Sequence, residues 1–150
     1  MDGLVIWGNR QLSDGVVKAR QNQRRQNGIR PHRSNGSYPN LRIPNADHAI
    51  IAAEKVRDYL LNTAHRRGGG KARLLLACGY RADAWEALES DLRMQHLVLD
   101  FAAATDNPYG RRYEIVAPLL TPHGRVILFR SVWQIDTGTD IPRLITMYPR

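Results

Sequence analysis

The segment His65-Arg66-Arg67-Gly68-Gly69-Gly70-Lys71-Ala72-Arg73 sets four cations and a histidine around a glycine turn. Glycines allow close approach of a backbone to an anion, because no Cβ stands in the way. A helix starting near Lys71 would aim free N–H groups and its positive dipole end in the same direction. Such a segment can hold phosphate, and His65 adds a group able to carry a proton near neutral pH. A plain interhelical turn with solvated charges satisfies the same residues. The segment is not the phosphate loop of nucleotide hydrolases: Ala72 follows the lysine where Ser or Thr is required, and a helix rather than a strand is expected before it.

Ribonuclease chemistry without a metal asks for little more than this. A base takes the proton of a ribose 2′-OH, a cation steadies the phosphate, and an acid protonates the departing 5′-oxygen. The carboxyl-terminal half offers further candidates in Arg130, Thr146 and Tyr148, with Ser131 and Trp133 nearby in sequence. Strand alternation puts Ile127, Phe129, Ser131, Trp133 and Ile135 on one face and Val126, Leu128, Arg130, Val132 and Gln134 on the other. It also puts Leu144, Thr146 and Tyr148 together on the last strand. Tyr109, Arg111 and Arg112 form a possible second phosphate contact, with Arg66, Arg67, Arg73 and Arg125 as further nucleic-acid contacts; solvated loops account for these residues equally well. No metal and no cofactor is expected, since the five histidines lack i, i+4 pairing and Cys78 stands alone.

The positioning elements follow from periodicity. Helices are predicted over Ala53–Thr63, from about Lys71 to Cys78 with Gly79 closing it, and after an Asp83 cap with Trp85, Leu88, Leu92 and Gln95 on one face. A short strand is expected at His48–Ile51, then strands at Tyr113–Ala117, Arg125–Asp136 and Leu144–Tyr148 joined by tight turns. The result is an α+β domain over 41–150, with helices first and a small antiparallel meander after them.

The chain carries a net charge of +8 and a pI near 10.2, which favours nucleic acid or an acidic protein as partner. Residues 1–40 hold seven Lys/Arg against two Asp, whereas the remainder holds fifteen basic against twelve acidic residues. The first forty residues therefore read as a basic, flexible arm and the rest as a mildly basic domain. With one cysteine, no apolar run of membrane-spanning length and no export signal, the expectation is a cytoplasmic protein without a membrane partner.

Several segments together resemble an uncharacterised bacterial domain family of unknown function. They are Ile43 to Ala49, Tyr59 to Asn62, His65 to Arg73, Gly79-Tyr80 with Trp85, Tyr109 to Ile115, Gly124-Arg125, Ser131 to Trp133 and Pro142 to Pro149. Such domains are found in toxin–antitoxin and polymorphic-toxin contexts, often beside a small acidic partner. The closing strand and the order of elements are similar, more loosely, to RelE/barnase/colicin-like ribonuclease toxins. The resemblance matches His65 and Lys71 to the family's His…Gly…Lys segment, and Thr146 and Tyr148 to its terminal strand. Leu74-Leu75 and Met147 depart from it, where aromatics and an alanine are usual. It implies a toxin of a toxin–antitoxin or contact-delivered system; together with the residues above, the expectation is a metal-independent RNA endonuclease toxin, neutralised by a small acidic antitoxin. A non-catalytic basic module binding nucleic acid or an acidic protein is the competing reading.

Overall fold

The computed structural model describes Leu41–Arg150; the basic arm read over residues 1–40 lies outside the described residues. Helical segments come first and a four-stranded antiparallel meander follows, in the order β1-β2-β3-β4. The strands are β1 (Ala103–Asn107), β2 (Gly110–Leu120), β3 (Val126–Asp136) and β4 (Arg143–Pro149). The α-helices are α1 (Gly69–Ala77) and α2 (Glu86–Gln95), preceded by a π-helical segment, Lys55–Leu60. The fold is thus α+β with a small meander.

One face of the sheet is the core. Alternation along β2 buries Tyr113, Ile115, Ala117 and Leu119, and these pack with Phe129 and Trp133 of β3 against Leu75, Leu88 and Leu92 of the helices. The carboxyl end of α1 is closed by paired backbone bonds. Gly79 N–H reaches Leu76 O at 3.0 Å and Tyr80 N–H reaches Leu75 O at 3.2 Å. Gly79 sits at φ 102°, the left-handed value that makes glycine the fitting residue there. Tyr80 then follows into the core and donates its hydroxyl to Asp91 of α2 at 2.5 Å, pinning the two helices together. Burial pushes both groups' pKa values above their ordinary range.

The open edge of β2 beyond β1 is closed by a side chain. Gln95 accepts from Leu120 N–H at 2.8 Å and donates to Leu120 O at 3.1 Å, taking the place of a neighbouring strand. Pro118 lies two residues earlier, with the same parity, so its missing N–H falls on this unpaired side.

Several expectations change. His48–Ile51 forms only a single parallel bridge, Ile50 to Arg143, which covers part of the β4 edge. The helix expected to reach Thr63 ends at Leu60 and is π-helical over its last six residues, keeping Val56 and Leu60 buried. Asp83 does not cap α2; it pairs with exposed Arg81 at 2.7 Å, and Trp85 holds the cap position without a side-chain bond. Strand β1, with its Ala-Ala-Thr-Asp-Asn sequence, carries no β-pattern and forms by pairing with the turn-proximal half of β2. Finally, Leu144 does not share a face with Thr146 and Tyr148. Val132 pairs with Thr146 and Trp133 with Leu144, so Ile145 is an extra residue in β4. This bulge turns both Leu144 and Met147 into the core and sends Thr146 and Tyr148 to the opposite face.

Candidate functional site

The sheet face opposite the core carries the polar residues. Register aligns Glu114, Val132 and Thr146 in one row, and Val116, Arg130 and Tyr148 in the next. Val132 is fully buried on this face and lies outside the main core cluster, giving the row an apolar floor.

Lys71 reaches this face from the first turn of α1. Its Nζ donates to Thr146 Oγ1 at 3.0 Å and to the Tyr59 hydroxyl at 3.3 Å. It also stands 5.4 Å from the centroid of the Tyr59 ring and 5.7 Å from that of Tyr148. Among the described residues no carboxylate pairs with it, so a half-buried ammonium is held by hydroxyls and ring faces alone. Next to it, Arg130 Nη1 lies 3.1 Å from Glu114 Oε2 and 3.4 Å from the Tyr148 hydroxyl. Arg112 Nη2 binds the other oxygen of Glu114 at 3.2 Å, and the Nε atoms of Arg112 and Arg130 have no partner among the described residues.

Tyr59, from the π-helical segment, joins this cluster to the glycine turn. Partial burial of the phenol opposes ionisation, but hydrogen bonds with Thr146 and Lys71 and the charges of Lys71 and Lys55 outweigh it. Its pKa therefore falls below the ordinary tyrosine value. The Lys55 ammonium stands 4.9 Å from the ring centroid, and the His65 ring meets the same ring edge-on at 4.7 Å.

The glycine turn does a different task from the one its composition implied. His65 Nδ1 accepts from the N–H groups of both Arg67 and Gly68 at 3.2 Å, and His65 O accepts from Gly69 N–H at 2.9 Å. These donors are thus occupied by His65 itself, whose ring proton is left on Nε2. A Cβ at Gly68 would lie 2.6 Å from Tyr59 O, and one at Gly69 would lie 2.6 Å from Thr63 O. Two of the three glycines are there so that the start of α1 can press against the preceding segment. Only Gly70 has open space around it.

Of the residues singled out from sequence, Lys71, Arg130, Thr146 and Tyr148 meet on one face, and His65 is linked to them through Tyr59. Apart from Arg112, which joins Arg130 through Glu114, the remaining cations are not gathered with them. Arg66, Arg67, Arg73 and Arg125 are exposed, and Arg73 is two residues from Lys71, hence on another side of α1. Tyr109 is 76% exposed at the β1–β2 turn. The pleat separates Arg111 from Arg112: Arg112 lies with Glu114, whereas Arg111 stacks over Tyr113 at 5.7 Å. Tyr59 and Glu114 were missed. Both fall inside the segments that carried the family resemblance, but neither type nor spacing distinguished them. Among the described residues no group of three His, Cys, Asp or Glu side chains could hold a metal ion, and no helix is long and apolar enough to cross a membrane.

Residues 42–150 match the family described as a domain of unknown function, DUF6883. The chain belongs to this family. No curated protein matches the sequence. Among solved structures the chain is similar to one from the "Contact-dependent growth inhibition toxin - immunity protein complex from Klebsiella pneumoniae 342". That likeness has 15% identity and a TM-score of 0.49, and covers 68% of this chain and 100% of that one. Within this DUF6883 domain, the segments that suggested the family supply the helix-to-sheet contact of Lys71 with Thr146.

Proposed function

We propose that this DUF6883 domain is a metal-independent RNA endonuclease acting as a toxin in the cytoplasm, neutralised by a small acidic partner protein. The observation that carries the reading is Lys71, half-buried, without a carboxylate among the described residues, and held by Thr146 and Tyr59 beside Arg130 and Tyr148. Taking an ammonium partly out of water is costly unless an anion meets it, and hydroxyls and ring faces offset only part of that cost. A phosphodiester completes the arrangement. Lys71 holds the scissile phosphate, Arg130 and Tyr148 line the adjacent row, and Thr146 orients the ammonium. His65 stands at the margin with its ring edge-on to Tyr59, while Arg66, Arg67, Arg73, Tyr109, Arg111, Arg112 and Arg125 contact flanking phosphates.

In this mechanism the 2′-oxygen attacks phosphorus and the 5′-oxygen leaves. The products carry 2′,3′-cyclic phosphate and 5′-OH ends. The toxin role and the acidic partner rest on the family resemblance; the same cationic surface suits both RNA and an acidic protein. The test incubates the full chain and Lys71→Met with total tRNA and analyses the end groups. Wild type is expected to give cyclic phosphate ends, and Lys71→Met to be slower by about 100-fold or more. Intact tRNA with wild type, or equal cleavage by both proteins, overturns the enzymatic reading. Salt-dependent binding without any cleavage would leave the non-catalytic module in its place.

A further inference from the structure

We propose that Tyr59 is the general base of this site, taking the 2′-OH proton, with Lys71 returning a proton to the leaving 5′-oxygen. The inference rests on the endonuclease reading above and names the residue pair that runs its proton transfer.

Three observations converge on Tyr59. First, its hydroxyl sits on Lys71 Nζ at 3.3 Å, so base and phosphate-holding cation are neighbours on one face of the sheet. Second, the segment carrying it is π-helical, a rare geometry often found where a side chain is placed for function. That segment is braced by the glycine turn, since Gly68 comes close enough to Tyr59 O that no Cβ fits between them. Third, the charged and titratable groups facing its ring favour the phenolate. Lys55 comes from its own segment and Lys71 from α1, His65 meets the ring edge-on, and no carboxylate stands among these contacts. His65 is the weaker candidate, because its Nδ1 is already committed to two backbone N–H groups.

The protons balance within the pair. The cycle runs from the form that has Tyr59 as phenolate beside the Lys71 ammonium. The 2′-O–H bond breaks and its proton goes to the Tyr59 oxygen, while the 2′-oxygen forms its bond to phosphorus. The bond from phosphorus to the 5′-oxygen then breaks, and the leaving oxygen takes a proton from Lys71. Proton transfer from Tyr59 to Lys71 across their existing hydrogen bond restores the starting state. No external acid or base is consumed.

The test uses the full chain and total tRNA, with a 2′-O-methylated RNA of mixed sequence as a non-cleavable binding probe. Tyr59→Phe keeps the ring and its contacts but removes the acceptor, so cleavage is expected to fall about 100- to 10,000-fold. Affinity for the methylated RNA is expected to stay within about threefold, because the Lys71 charge remains. Fluorinated tyrosine introduced at position 59 alone should move the rising limb of the pH–rate profile to lower pH. A merely structural role would leave that limb in place. Tyr59→Phe cleaving within threefold of an active wild type, or an unmoved limb, overturns the assignment while leaving the endonuclease reading intact. A wild type that leaves tRNA intact ends the endonuclease reading, and the Tyr59 assignment with it.

Discussion

Acidification should destabilise this domain through a histidine that the candidate site does not use. His96 is fully buried just after α2, and its Nδ1 lies 2.8 Å from Ser131 Oγ. Trp133 Nε1 donates to the same Oγ at 2.9 Å. An indole only donates, so the Ser131 hydroxyl is free to donate a hydrogen bond to Nδ1, which leaves the ring proton on Nε2. Among the described residues Nε2 has no partner meeting hydrogen-bond geometry. Burial is the main influence and lowers the His96 pKa to about 4, with the Ala117 backbone offsetting part of the effect. The unfolded chain binds this proton near 6.5, so the native state is favoured while the ring is neutral. Stability is therefore fully present above 6.5 and is lost as pH falls toward 4. Linkage over that window gives a loss of about 2 kcal/mol by pH 5 and about 3 kcal/mol by pH 4. The assay is urea unfolding of wild type and His96→Asn at several pH values between 7.5 and 4. The difference between the two curves removes contributions common to both. The wild type should lose stability relative to the variant as pH falls. A difference that stays flat across the window would refute the reasoning, and so would a wild type that gains stability relative to the variant as pH falls.

Two further predictions follow from the turn and the sheet face. Gly69→Ala should destabilise by about 1–3 kcal/mol, because the new Cβ would lie 2.6 Å from Thr63 O, whereas Gly70→Ala, with nothing within 4 Å, should stabilise by about 0.5–1 kcal/mol. Unfolding midpoints of the two variants test the opposite signs. Glu114 neutralises Arg112 and Arg130, so Glu114→Gln should tighten binding of the methylated RNA at low salt and steepen its logarithmic salt dependence by up to about 1. Unchanged affinity and slope would exclude this face as the contact surface.

Local signals in the sequence were enough for the outline of the fold. Gly79 after an apolar run marked the end of α1, since a left-handed position there strongly favours glycine. The β-rich run ending at Asp136, flanked by glycine turns, marked β3 and the meander. Lys71, Thr146 and Tyr148 stood out by type and by family resemblance, and Arg130 by type and strand position. Tertiary packing settled the rest. Strand β1 exists because β2 offers a pairing edge, and its own residues have little strand preference. The β4 bulge reversed the face of Leu144 relative to Thr146, a shift invisible to strict alternation. Glycines that looked made for an anion serve backbone-to-backbone contact, which depends on the path of a segment several residues away. Tyr59 joins the cluster through Lys71, twelve residues along, which also holds Thr146 far beyond that. Sequence determines which groups are available and which local conformations they favour. Their convergence is decided by long-range packing, because charge and proton transfer depend on distances that neighbouring residues along the chain do not set.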